Sequence, residues 1–393
     1  MSAPGAGPLI FLVAGEPSGD VLGARLMTAL KTRSPAPPRF AGVGGERMTA
    51  EGLDSLFPMS EMSIMGYLEV VPKIPRVLAR VRETAAAARH MRPDVVITID
   101  APDFSFRVAR RLAGAEIPLI HYVAPQVWAH RPGRSAKIAE FLDHLLAILP
   151  FEPPYFEAVG LPCSFVGHAI VEEGAHKGDG AGFRARHGIS PEAPLVCVLP
   201  GSRHGEVSRH LPIFGAALGL LASRYPGLCA VVPTVTAVAD EVTAACGDWP
   251  VTAHVVVGRD EKYDAIAASR VALAASGTVA LELAIAGTPM VIAYKTNALT
   301  AWLARRMVRV SYACLVNLIL DRPVVPEFIQ ENCRPDLLAE AVAALYDDGD
   351  ARAAQIAGGR QAAESLGLGG TPPSDRAADT VLKVIAEGPR ARC

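Results

Sequence analysis

The sequence predicts an α/β protein built as two doubly wound, parallel-sheet lobes, on three observations. Its apolar runs are short, β-branched and free of polar alternation, which marks strands buried on both faces. Helical stretches separate these runs, as parallel neighbours require. After a segment rich in Gly, His and charge, Glu172 to Gly188, the strand, glycine turn and helix pattern starts afresh. One (β/α)8 barrel of this length is the alternative, and the linker with its restart favours two lobes.

The first half opens with a strand at Leu9–Ala14, a glycine-bearing turn, and a helix from about Asp20 to Lys31. The clearest strand is Pro93–Asp100 (PDVVITID), a continuous apolar run that ends in a charge, and Leu119–Val123 and Leu145–Leu149 follow. The second half reads as strands at Leu195–Leu199, Cys229–Pro233, Val251–Val257, Val271–Ala274 and Pro289–Ala293, with a helix starting near Glu206. We therefore expect lobes at residues 1–172 and 189–365. A tail, 366–393, carries no motif, and its return to the N-terminal lobe is left open.

Half of the 393 residues are apolar and a fifth are charged, the balance of a well-buried globular chain. A net charge of -2 gives the molecule no overall attraction to nucleic acid. Its seven cysteines are scattered without a CxxC and read as reduced core thiols of a cytosolic protein. Leu9–Ala14 has no Lys or Arg before it and runs into a turn, so it is not an export signal. Val271–Tyr294 is long enough to span a bilayer, but Glu282, two Gly-Thr pairs and Pro289 break it into strand, turn, helix, turn and strand.

Four turns and one strand end could carry chemistry. Gly15-Glu16-Pro17-Ser18-Gly19-Asp20 lets the backbone approach a ligand at a helix N-terminus, or is a tight turn capped by Ser18 or Asp20. It is neither GxGxxG nor a Walker loop. Gly42 to Arg47 (GVGGER) is a second turn of that kind. Asp100 closes a buried parallel strand, where open α/β sheets bind ligands, and could serve as a general base; Asp103 is the better helix cap. In Leu199-Pro200-Gly201-Ser202-Arg203, with Glu206 after it, backbone N–H groups, a helix dipole and a guanidinium converge as a diphosphate requires. In Ala275-Ser276-Gly277-Thr278, donors again precede a helix, and Glu282, one turn on, could accept from ribose hydroxyls. An unpaired carboxylate in that apolar setting would be costly, which favours a functional role for Glu282.

Two basic, apolar stretches could face lipid. One runs through Met65, Tyr67, Leu68 and Val71 into a helix with Lys73, Arg76, Arg80, Arg82 and Arg89; the other, Leu299–Val310, carries Trp302 with Arg305, Arg306 and Arg309. His121 to Ala129 mixes His, Tyr, Gln and Trp at a strand end, which suits a sugar, although Trp128 alone is more often core. A serine hydrolase is excluded by the lack of a GxSxG elbow, and no histidine cluster has metal-ligand spacing.

Taken together, AGEPSGD (14–20), SIMGYLEVVPKI (63–74), PDVVITIDAPDF (93–104), HYVAPQVWA (121–129), LPGSR (199–203) with Glu206, ASGTVALE (275–282) and Val316-Asn317-Leu318 resemble the lipid-A-disaccharide synthases. The motifs keep that family's order across most of the chain. His130-Arg131 departs from it, since the family continues there with a second Trp. The resemblance implies a GT-B fold, two Rossmann-like lobes with a cleft between them. The N-terminal lobe would take 2,3-diacylglucosamine 1-phosphate as acceptor, and the C-terminal lobe UDP-2,3-diacylglucosamine as donor. Inverting transfer to the acceptor 6-hydroxyl would give the β(1→6) disaccharide 1-phosphate and UDP, with no cofactor and no metal. On this resemblance Asp100 is the base, and Arg203 with Gly201, Ser202, Ser276, Gly277 and Thr278 holds the departing diphosphate. Glu282 would hold the ribose and Asn317 would lie near the nucleotide. Glu16, Ser18, Gly19 and Asp20 would line the acceptor side, and Met65, Tyr67, Leu68, Val71 and Trp302 would contact the cytoplasmic face of the inner membrane. A homodimer is left open. A UDP-sugar epimerase, another GT-B UDP-hexosamine transferase and a non-catalytic lipid-binding protein are the competing readings; the last has no use for the two phosphate turns.

Overall fold

The computed structural model describes residues 7–62, 70–129, 133–297, 300–302, 306 and 310–390. They form two compact units, one of residues 1–169 with 370–393 and the other of residues 170–369. Each unit holds an open parallel sheet, so the barrel alternative is excluded.

In the first unit the strands are β1 (Leu9–Ala14), β2 (Arg39–Val43), β3 (Asp54–Ser55), β4 (Val95–Ile99), β5 (Leu119–Tyr122), β6 (His144–Ala147) and β7 (Cys163–Phe165). Their order across the sheet is β3-β2-β1-β4-β5-β6-β7. The chain thus winds outward in one direction from β1 and in the other from β4. These two are paired directly, with Ala14 opposite Ile99. The crevice beyond the carboxyl ends of such a central pair is where doubly wound sheets bind ligands.

The second unit repeats the scheme. Its strands are β8 (Leu195–Leu199), β9 (Cys229–Thr234), β10 (Thr252–Val257), β11 (Val271–Ala275), β12 (Met290–Tyr294) and β13 (Glu327–Ile329), in the order β10-β9-β8-β11-β12-β13. Here the central pair is β8 and β11, with Leu199 opposite Ala274.

Both sheets are covered on their two faces, as the unbroken apolar runs require. Val95–Ile99, Leu195–Leu199 and Val271–Ala275 are buried at every residue. In the first unit α1 (Pro17–Arg33) packs with the C-terminal helix Pro373–Glu387, whose Ala377, Ala378, Val381 and Val384 join the core over β1 and β4. The segment 172–188 is no loose linker. It carries a helix, Gly180–Arg186, capped by Asp179, and Arg184 donates to the carbonyls of Ala268, Ser190 and Ala193. The six described cysteines form no disulfide, and five of them are buried.

Candidate functional site

At the first unit's central pair the backbone is strained. Asp100 and Ala101 follow β4 with φ of +51° and +42°, and Val123 follows β5 with φ of +82°. Left-handed backbone at residues other than Gly costs about 1–3 kcal/mol each, and persists only where the surroundings over-determine it. Here they do. Asp100 N–H donates to the Tyr122 carbonyl at 3.0 Å, Val123 N–H donates to the Leu146 carbonyl at 3.1 Å, and Ser105 Oγ donates to the Asp100 carbonyl at 2.7 Å. The N–H groups of Phe104 and Ser105 then bond the Ala101 carbonyl and start α4 (Pro102–Leu112). Pro102 suits that first turn, because its missing N–H would have had no helical partner.

The result is a half-buried Asp100 carboxylate held at the sheet edge. Ser18 Oγ, one residue into α1, donates to its Oδ2 at 2.8 Å. A carboxylate with one oxygen tethered keeps the other for a substrate proton, the geometry a general base needs. Asp103 stands apart from this bond, exposed in the first turn of α4.

The glycine turn before α1 is packed tightly against β4. A Cβ on Gly15 would meet Ala101 at 3.0 Å, and one on Gly19 would meet the Ile99 carbonyl at 3.2 Å. Glu16 is exposed at the turn. The Asp20 carboxylate is held by backbone: its Oδ1 accepts from the N–H groups of Gly45 and Met48, and its Oδ2 from that of Arg47. It therefore ties the GVGGER turn to α1 by capping α2 (Glu46–Ala50), a structural use of the carboxylate.

In the second unit the two phosphate-type turns follow the paired strands β8 and β11, side by side at the same sheet edge. Gly201 has φ of +121°, and a Cβ there would stand 2.8 Å from Glu206. Glu206 fills the turn. Its Oε2 accepts from the Ser202 N–H at 3.3 Å and its Oε1 from Arg203 at 3.1 Å. Arg203 is 81% exposed, so this contact is screened by solvent. Behind it, His210 is fully buried in α8 (His204–Arg224). Its Nε2 accepts from the Lys295 N–H at 3.0 Å, so Nδ1 carries the proton and donates to the Pro200 carbonyl at 2.8 Å. Burial holds this imidazole below its ordinary pKa, in keeping with a neutral strut under the turn.

The second turn is open at its tip. A Cβ on Gly277 would meet nothing within 4 Å, Thr278 is exposed, and Ser276 Oγ donates to the Ala313 carbonyl at 2.9 Å. Glu327 continues this network by accepting from the N–H groups of Ala313 and Cys314 and from Asn317 Nδ2. Asn317, 1% exposed, spends its whole amide inside the protein: Nδ2 also donates to the Val325 carbonyl, while Oδ1 accepts from Val324 and Val325. It shapes the loop beside the turn from within. Glu282, 8% exposed in α11 (Val279–Ala286), is paired after all, with Lys262 Nζ at 2.6 Å and Tyr263 OH at 3.2 Å. The cost of an unpaired buried carboxylate therefore gives no support to a ribose role. Burial raises the Tyr263 hydroxyl's pKa, so it stays a donor.

Met65, Tyr67 and Leu68 lie outside the described residues, and Val71 falls in the first turn of the helix Val70–Met91. Trp302 is 49% exposed, with the Arg306 guanidinium 3.7 Å from its ring centroid. Among the described residues no group of three His, Cys, Asp or Glu side chains could hold a metal, and no helix is long and apolar enough to cross a membrane. Val123, His210 and Glu327 are site-building residues that sequence reading missed. Only the place of His210, within the helix after the LPGSR turn, offered a signal.

Residues 10–376 match the family model described as lipid-A-disaccharide synthetase. The chain belongs to that family. It is 58% identical to a lipid-A-disaccharide synthase of Rhodospirillum centenum, over 96% of this chain and 95% of the relative. It is 52% identical to one of Paramagnetospirillum magneticum, over 98% and 99%. Membership makes the protein a glycosyltransferase, and this reading holds over the epimerase alternative. Among solved structures it is similar to a UDP-GlcNAc 2-epimerase from Neisseria meningitidis bound to UDP-GlcNAc (TM-score 0.66, 13% identity, 95% of this chain and 100% of that one). It is also similar to the calicheamicin glycosyltransferase CalG4 (TM-score 0.60, 16% identity, 97% and 98%). At such identities these likenesses show the fold, the GT-B class.

Proposed function

We propose that the protein transfers 2,3-diacylglucosamine from its UDP derivative to the 6-hydroxyl of 2,3-diacylglucosamine 1-phosphate, with inversion, forming the β(1→6) disaccharide 1-phosphate and UDP. The observation that carries the chemistry is the Asp100 carboxylate, fixed on left-handed backbone at the first unit's switch point and tethered by Ser18. Asp100 takes the proton of the acceptor hydroxyl as its oxygen attacks the anomeric carbon. The bond to the donor diphosphate breaks, and UDP leaves with the electron pair.

The charge on that leaving group falls to the second unit. The Gly201, Ser202 and Arg203 turn, backed by His210, and the open Ser276, Gly277 and Thr278 turn present N–H, hydroxyl and guanidinium donors at one sheet edge. Donors set before the charge develops stabilise it without reorganisation. Glu206 releases Ser202 and Arg203 when the diphosphate arrives. Glu282, held by Lys262 and Tyr263, faces the ribose; Asn317 acts through the loop it shapes, while Glu16, Ser18 and Gly19 border the acceptor.

Both substrates are acylated, so the enzyme must work at a lipid surface. The stretch from Met65 to Val71 and the exposed Trp302 beside Arg306 support peripheral attachment to the inner membrane from the cytoplasm. UDP release measured with and without the acylated acceptor tests the reaction. Release that depends on acceptor and matches disaccharide formed is expected; UDP or a UDP-sugar isomer formed without acceptor would overturn the reading.

A further inference from the structure

A concavity of about 530 Å3 opens between α4 and a short helix, Arg134–Ala139, in the first unit. Its walls carry four cations, Arg107, Arg110, Arg134 and Lys137, against one carboxylate, Asp103. Like charges crowded into one hollow repel, so the arrangement is unfavourable until an anion enters. Among the described residues none of the four makes an ion pair. Two are instead set by aromatic faces: the Arg134 guanidinium lies 5.6 Å from the Phe106 ring centroid, and that of Arg110 5.1 Å from Phe141. Such a cation–π contact steadies a guanidinium while leaving its N–H groups for an oxyanion.

The place of the hollow narrows the anion's identity. α4 begins two residues after Asp100, and Arg107 sits one helical turn beyond Asp103, about 6 Å along the axis. That step is about the width of a sugar ring. In a glucosamine 1-phosphate, C1 and C5 flank the ring oxygen, so the phosphate and the attacking 6-hydroxyl project about that far apart from neighbouring ring positions. We propose that the α4 concavity binds the acceptor's 1-phosphate, which places its 6-hydroxyl toward Asp100. The proposal rests on the reading that the acceptor is a sugar 1-phosphate. It makes Arg107, Arg110, Arg134 and Lys137 specificity residues for the acceptor, with no part in donor binding.

Arg107→Gln, Lys137→Gln and the double variant test it, both positions being exposed and remote from the core. Acceptor KM is measured with 2,3-diacylglucosamine 1-phosphate and with its 1-O-methyl glycoside, which lacks the phosphate. A rise of about tenfold per cation removed is expected for the phosphorylated acceptor, with little change for the methyl glycoside or in donor KM. Equal changes for the two acceptors, or none for either, would overturn the proposal. So would a double variant that keeps wild-type acceptor discrimination but loses sedimentation with phosphatidylglycerol vesicles, since the hollow would then serve lipid headgroups. Calorimetric binding of the two acceptors separates this from the reaction itself. A wild-type protein that is inactive yet prefers the phosphorylated acceptor, by a margin the double variant loses, would strike the proposed reaction alone; equal binding of both acceptors would strike the concavity.

Discussion

The two switch points are built on one topology but by opposite means. In the first unit, residues other than glycine are forced into left-handed backbone, and hydrogen bonds from β5, β6 and α4 hold Asp100 and Val123 there. In the second, Gly201 takes the unusual backbone without side-chain strain, the Gly277 tip is open, and Glu206 accepts from Ser202 within the turn. In the proposed reaction Asp100 is the base, and a base must hold a carboxylate at one place relative to one proton, so rigidity there is worth its strain. In that proposed reaction the second turn receives a diphosphate, which is large and multiply charged and so calls for accessible donors that a provisional partner can surrender.

That contrast can be broken at either end. Arg203→Ala removes the guanidinium from the phosphate turn and leaves the fold intact, since the side chain is exposed; turnover should fall by about 10²–10³-fold, as for loss of a preorganised donor. Near-normal kcat would remove Arg203 from the chemistry. Gly201→Ala places a methyl against Glu206 on left-handed backbone, and should cost about 1–3 kcal/mol by denaturant unfolding while weakening UDP binding. Ala101→Gly goes the other way: it relieves strain, so stability should rise by about 1 kcal/mol. Turnover should drop, because the carboxylate beside it is freer. A variant more stable and equally active would show that the strain has no catalytic use.

The smallest effect is in pH dependence. Glu152, after β6, is pushed up to about 7 by burial, although the N–H groups of Leu149, Ile148 and the Trp128 indole favour its charged form. The folded state then binds more protons than the unfolded one between about 4.5 and 7, so stability falls as pH rises through that window and is level above it. Glu152→Gln should flatten this slope in melting temperatures taken across the window; an unchanged slope would assign it to another group.

Much of this was legible in the sequence because the central strands are buried on both faces and read as pure apolar runs. The edge strands were not. β2 is interrupted by Gly42, β3 has two residues, and β13 opens with Glu327, which caps a neighbouring loop. Each is a strand because a neighbour supplies its hydrogen bonds, a non-local fact. The same holds for 172–188, where Gly, His and charge conceal a helix tied down by Arg184 and Asp179. At the sites, residue type located the turns, but pairing decided what each side chain does. Glu282 reads as an isolated carboxylate until Lys262, twenty residues away, is placed against it, and Asp20 as a ligand group until the backbone of α2 takes both its oxygens.

The central claim is that the strained turn after β4 presents Asp100 as the base. It is tested most directly by acceptor-dependent UDP release from Asp100→Asn beside Asp103→Asn, with folding checked by circular dichroism. The account predicts that Asp100→Asn loses kcat by about 10²–10⁴-fold, the usual worth of a positioned base, at near-wild-type donor KM, with a far smaller loss in Asp103→Asn. An Asp100→Asn enzyme that turns over normally, or a larger loss in Asp103→Asn, would contradict it.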